Sequence, residues 1–530
     1  MSGQSFSLPI SPPHRRRSHA LLRWKQTKLL ILGLCLSGSA VSAQDGAPLS
    51  AIDWLSESVE RSRVLEAPVT GTATTPTVTV TPLDRPSKDP VGLLPPDVTG
   101  LPRTIWARSD EATLVMLVRA ERVEALPAIQ DFLRVLMLAE ADPPFDAGPD
   151  GALFLARVDK LLDLGALEPA QSLIEQAAPD TVALFRRWFD VALLTGTEDS
   201  VCDVMRDNPS VAPTYPARIF CLARNGDWTA AALTLNTNRV LGDISEEEEQ
   251  LLSRFLDPEL FEGEPPLEPP ARVSPLMFRM HEAIGEPLIT ANLPLAFSHA
   301  DLRPTTAWKS QLEAAERLAR FGAISENTLQ KFYTARTPAA SGGVWDRAEA
   351  IQRFDVALRA GDPVGVARTL PPAWDAMQEA RTEVQFAKLY AAYLQTLPLT
   401  GAAAEIAFHV GLLSPDYESV AIAAQESNLK YDPFLIALAR GIPQEVRVTT
   451  QTELAIQAAF NGGIPSAALQ ALISEGKLGE ALLRAIAQFN EGYLGDIRLA
   501  GDALSLMRSV GLEDVSRRAA LQLLILDRTP

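Results

Sequence analysis

From Trp106 onward the apolar positions of this chain recur at helical spacing. Ser109-Asp110-Glu111 reads as a helix start ahead of Leu114, Val115, Leu117 and Val118. Predicted helices of about 10–18 residues then alternate with short Gly, Asp and Pro turns. Upstream, Ser50-Ala-Ile-Asp53 reads as a capping box. Ile52, Leu55 and Val59 follow at helical spacing with Trp54 alongside, so residues 44–65 are read as a short amphipathic helix. Helix nucleation is costly at this length, so it must dock, on the chain's own groove or on a partner.

Two Pro-rich stretches break the pattern. Residues 66–103 hold eight Pro and eight Thr in 38 positions, with too little apolar surface to offset ordering entropy. They are read as a disordered Thr/Pro-rich linker. Residues 257–276 carry six Pro in 20. Residues 258–276 are read as a hinge between an N-terminal helical domain, 104–257, and a C-terminal one, 277–530. The acidic run at 246–249 is read as a solvated first helical turn capped by Ser245.

Four turns share a spacing in which Ala follows Gly five positions later, with an apolar helix on each side: Gly165/Ala170, Gly226/Ala231, Gly463/Ala468 and Gly476/Ala481. Gly ends the first helix in a left-handed conformation, and Ala lets the second helix approach closely. Leu167, Trp228 and Leu478 sit two residues after their Gly, placed to plug the crevice. Gly361-Asp362 and Gly511 are weaker versions. This spacing resembles the tetratricopeptide helix pair, best at Gly226-Asp227-Trp228 with Ala231 and Leu235. The resemblance covers about a third of the chain beyond residue 43 and implies an all-α fold, an α-solenoid of antiparallel helix pairs. A non-repetitive helical bundle is the alternative.

Before residue 44 the chain has three parts. Residues 15–28 are basic, 29–36 are apolar, and Val41-Ser42-Ala43 offers small residues to a signal peptidase. Residues 1–43 are read as a secretory signal with cleavage after Ala43. The alternative is an uncleaved anchor, although the apolar run falls short of the roughly 20 residues that span a bilayer. Arg15-Arg16-Arg17-Ser18 leaves a twin-arginine route open beside the general one. The expected location is periplasmic or secreted, with no membrane span once the signal is removed.

Charge and cysteines narrow the picture. The first 43 residues hold six basic and no acidic residues, so the remainder carries 42 basic against 66 acidic, a charge of −24. Such a body repels phosphate backbones, which speaks against nucleic acid as a partner. Cys202 and Cys221 remain after Ala43, an even count in an oxidising compartment. They are read as a disulfide; two buried thiols or a redox pair are the alternatives. The signal, the helix at 50–58, the Thr/Pro tract and Phe220-Cys-Leu-Ala-Arg-Asn-Gly-Asp-Trp228 together resemble a group of uncharacterised exported bacterial proteins, some labelled antifreeze glycopeptide polyprotein. That label requires long Ala-Ala-Thr repeats, and only residues 70–81 approach them.

Catalytic patterns are sparse. His281, His299 and His409 are the only histidines after Ala43, and none stands in a zinc-binding spacing. No nucleophile elbow, phosphate loop or dinucleotide Gly motif occurs, so neither metal nor cofactor is expected. Ala424-Gln-Glu426-Ser427 with Tyr431-Asp-Pro433 resembles the Glu-Ser segment of lytic transglycosylases. That resemblance implies Glu426 as a general acid on peptidoglycan. The Gly-Leu-Met-Gln stretch of that family is replaced here by Ala437-Leu-Ala-Arg-Gly-Ile-Pro443. The expected function is a non-catalytic protein-interaction scaffold of the cell envelope with an unidentified protein partner; the alternative is a transglycosylase-like enzyme acting through Glu426.

Overall fold

The computed structural model describes residues 87–526. The expected signal peptide, its expected cleavage after Ala43 and the expected amphipathic helix with Ile52, Trp54, Leu55 and Val59 lie outside the described residues. Among the described residues every regular element is helical. The nearest approach to a strand is one isolated parallel bridge, Leu94 to Ala139. No described helix is long and apolar enough to cross a membrane.

Local chemistry starts and stops the helices. Asp110 accepts from the Thr113 amide at 2.9 Å and opens helix Glu111–Ala120. Ser245 and Glu248 form a reciprocal capping box on helix Glu246–Leu256, which places the acidic run in its first turn. At the other end, Gly165, Gly226, Gly361, Gly476 and Gly511 all adopt positive φ. Each is followed by a residue whose amide reaches back to a carbonyl five positions earlier, as Ala166 does to Leu161 at 2.8 Å and Asp227 to Leu222 at 2.9 Å. Five residues beyond these glycines stand Ala170, Ala231, Val366, Ala481 and Ser516, all with 0% exposure. What the spacing fixes is a buried small or compact residue where the second helix crosses the first.

The fourth expected turn differs. Gly462, not Gly463, takes the left-handed conformation. Gly463 instead lies close to the Ala458 carbonyl and Ser505, leaving no room for a Cβ. Ala468 is exposed, and its neighbour Leu469 is the buried residue of helix Ala467–Ser474. Here the left-handed glycine and the buried residue stand seven positions apart instead of five. Trp228 also departs from expectation. It is 51% exposed and rests beside Phe255 at 6.3 Å between ring centroids, at the edge of its core and not in the crevice.

The linker reading fails at its C-terminal end, because residues 87–103 belong to the folded body. Asp89 is fully buried, and its carboxylate accepts from the Phe154 amide at 2.6 Å. Buried Arg157 donates to the carbonyls of Met137, Asp89, Val91 and Ala139 at 2.8–3.0 Å. One guanidinium therefore supplies the donors that a proline-rich segment with few amides cannot find in a helix ladder. The hinge reading fails too. Leu251 and Leu252 before the 258–276 stretch share one core with Leu276 at its end and Met280 after it.

Two cores result. The smaller gathers buried residues between Phe185 and Met280. The larger runs from Leu101 to Leu526 and brings the ends of the described chain together. Helix Pro127–Leu138 packs on helix Glu513–Ile525, and helix Glu111–Ala120 on helix Leu478–Leu494. Pro127 opens its helix with no side-chain cap from its own segment. Gln522 fills that role from the far end of the chain, accepting from the Ala128 amide at 2.7 Å in a buried bond. Beside it, the Trp106 ring lies flush against Gly479, where any Cβ would overlap it.

Candidate functional site

Between helix Pro275–Ala283 and helix Trp308–Arg320 the α-helical alternation lapses for a long loop built on 3-10 turns. Loops of this length inside a compact body are uncommon and tend to carry function. Its main element is the eight-residue 3-10 helix Leu295–Leu302, long for a type that seldom exceeds about four residues. Three residues per turn sort its side chains onto three faces. Phe297 and Ala300 enter the core. His299 turns to the Gly165 carbonyl, donating from Nε2 at 2.7 Å. Ser298 and Asp301 face a cleft of about 470 Å³.

Charged groups and hydroxyls wall this cleft. Arg317 crosses behind it and braces the loop, donating to the carbonyls of Thr290 and Leu293 and to Ser298 Oγ at 2.6–3.0 Å. Arg303 bonds the Ala300 carbonyl at 2.6 Å and Glu282 at 2.7 Å. Glu282 in turn pairs with Arg279, which reaches buried Glu198 at 2.6 Å. Asp301 accepts the Thr290 hydroxyl on one oxygen. Burial pushes the Asp301 carboxyl above its ordinary range, against the Thr290 hydrogen bond and Arg303. Thr305, Thr306 and Ser310 bring further hydroxyls, while Phe278, Leu288 and Ile289 form an apolar wall.

A second cavity, about 230 Å³, lies where the chain closes on itself. Its walls include Phe132, Val135, Val384 and Leu512, and its rim carries the pairs Lys388–Asp131 and Arg518–Asp514. Tyr417 donates to Asp514 at 3.0 Å, and burial, then Asp514, push its hydroxyl up to about 12. These rim charges already satisfy one another.

A third feature is a surface. Helix Trp228–Leu241 buries only Ala231, Leu235 and Asn238. Leu233, Val240 and Leu241 stand 67%, 80% and 68% exposed. Leu233, Thr237 and Val240 follow one another at four- and three-residue steps, so they share one face.

The residues singled out from sequence scatter over the body. Cys202 and Cys221 form the disulfide, both buried in the smaller core. Gly165, Gly226 and Gly476 are turns on three separate helix pairs. Glu426 ends helix Tyr417–Glu426 and is exposed. An apolar pocket of about 180 Å³ opens beside it, lined by Ser427 and Tyr431 but not by Glu426. His281 is buried with Nδ1 unpartnered, and burial lowers its pKa. Burial likewise lowers His299 to about 4. No group of three or more His, Cys, Asp or Glu among the described residues is placed to hold a metal ion. Sequence reasoning missed Ser298, Asp301 and Arg303 because they sit where periodicity fails; the signal available was that lapse itself. Compared with known protein families, curated proteins and solved structures, the chain matches none.

Proposed function

We propose that the protein is an exported, non-catalytic scaffold of tetratricopeptide-like helix pairs that binds a protein partner in the cell envelope. The observation that carries this reading is the open face of helix Trp228–Leu241. A surface helix in a settled fold turns its apolar stripe inward; this one leaves Leu233, Val240 and Leu241 to solvent. An exposed stripe at helical spacing fits an amphipathic partner helix. With a charge of −24 after residue 43, a partner with basic residues flanking its apolar face is favoured electrostatically. The repeat reading is supported by the five glycine turns with their buried fifth residue. Gly441, Gly476 and Gly511 also stand at even intervals of 35 residues, close to the roughly 34 of a tetratricopeptide unit. The disulfide and the basic, apolar and small-residue order of the first 43 residues support an oxidising compartment.

The test is photo-crosslinking. The chain from Gln44 carries a crosslinking residue at Val240 and is exposed to an envelope extract. We expect one partner to be trapped through position 240 and lost when Leu233 and Thr237 are changed to Glu. Trapping that survives the double change, or no trapping, overturns the reading. A version lacking residues 44–65 shows whether the N-terminal segment competes for the stripe. The deletion must stop before residue 87, since Asp89 and Val91 are anchored by Arg157.

A further inference from the structure

The cleft beside the 3-10 helix has unspent hydrogen-bonding capacity. Asp301 uses one carboxylate oxygen on Thr290, and the other makes no hydrogen bond among the described residues. Arg303 uses Nε and Nη2, leaving Nη1. The hydroxyls of Thr305, Thr306 and Ser310 bond to nothing in the described body, though all three line the cleft. Each hydroxyl both donates and accepts. The cleft therefore presents both donors and acceptors. Its charges nearly cancel, with Glu282, Asp301 and Glu313 set against Arg303 and Arg317. The same cleft is lined by Phe278, Leu288 and Ile289, the last of them 74% exposed.

We infer that this cleft binds a polyhydroxylated ligand, a mono- or disaccharide. A sugar ring has the matching anatomy. Its hydroxyl edge donates and accepts at every position, and its C–H face is apolar. The volume of about 470 Å³ lies within the roughly 300–1,000 Å³ typical of small-molecule sites. A basic peptide fits less well, because Arg303 and Arg317 stand among the carboxylates it would seek. A phosphorylated ligand is opposed by Glu282, Asp301 and Glu313. The bracing of the loop by Arg317 holds Ser298 and Asp301 in place before any ligand arrives, which lowers the ordering cost of binding. The cleft shares no residue with the stripe on helix Trp228–Leu241, so the two readings stand or fall separately.

The test uses the chain from Gln44 with its disulfide intact. Glucose, maltose, N-acetylglucosamine and its β-1,4 disaccharide are screened by saturation-transfer NMR, and affinities follow by calorimetry. At least one should bind. Asp301→Asn with Thr306→Val should weaken it by about tenfold or more, through lost hydrogen bonds at the ligand. Ser310→Trp should abolish it by filling the cleft from the first turn of helix Trp308–Arg320, where Ser310 is half-buried, with an unchanged thermal melt. No saccharide binding at about 10 mM overturns the inference. So does saccharide binding that Ser310→Trp leaves intact, and so does binding of trilysine in place of every sugar.

Discussion

The two cores of this molecule are held together by different means. The larger one draws on residues from both ends of the described chain. It sets Trp106 flush against Gly479 and seals Ala128 with Gln522. The smaller one gathers residues from a single stretch, Phe185 to Met280. It leaves the outer face of helix Trp228–Leu241 open and carries the Cys202–Cys221 disulfide. The difference shows where a covalent tie is useful. A core that cannot enclose its outermost helix buries less apolar area, and a crosslink that restricts the unfolded chain makes up part of the shortfall. The larger core closes between distant helices and has no such tie among the described residues.

This comparison can be broken from either side. The largest effect is expected at the closure. Gly479→Val would drive a side chain into the Trp106 ring and the Ile105 carbonyl. We expect a loss of roughly 4 kcal/mol. Hydrogen exchange should rise in helices Pro127–Leu138 and Glu513–Ile525 while the Cys202 region stays protected. Protection lost evenly everywhere would mean that the two cores unfold as one.

Reduction comes next. Paired Cys202→Ser and Cys221→Ser should cost about 3 kcal/mol, given a sequence separation of 19. Denaturant unfolding followed by exchange should place the loss in helices Glu198–Asp207 and Tyr215–Arg224, with the closure unaffected. Loss of protection at Gln522 would contradict the division.

The smallest effect separates the cores by pH. Glu121 is buried in the larger one, and burial lifts its carboxyl from 4.5 to about 8 despite nearby Lys160. Between those values the folded protein keeps the proton and the unfolded chain has lost it. Unfolding then releases a proton, so stability falls as pH rises from about 4.5 to about 8 and levels off above. Glu121→Gln should remove that fall, leaving the variant more stable than the parent at pH 8 and little different at pH 4.5. Thermal melts across that range check it; a constant difference between the two proteins would show that Glu121 does not titrate there.

Local features were the legible ones. Gly165, Gly226 and Gly476 announce their turns because a left-handed residue after an apolar helix has one good candidate. The cysteine pair was legible from an even count alone. The linker boundary was misplaced because Asp89, Val91 and Leu94 stand among prolines, and their anchor, Arg157, lies far along the chain. Gly462 and Gly463 are indistinguishable by type, so only the backbone decides between them. The closure left no local trace, since Gln522 and Ala128 are 394 positions apart. The cleft was invisible for a related reason. Ser298 and Asp301 lie on a 3-10 helix inside a long loop, and the α-helical pattern gives no hint of one.

The bond between Gln522 and Ala128 also dictates an order of events. Helix Pro127–Leu138 is made long before its cap, which lies 394 positions further along the chain. Long-range closure of this kind slows folding, and until it happens Phe132, Leu133 and Leu136 have no lid. Until Gln522 is made that core stays open, and a version truncated before Gln522 should be cut more readily by proteases. Closure of the larger core thereby waits on residues far along the chain.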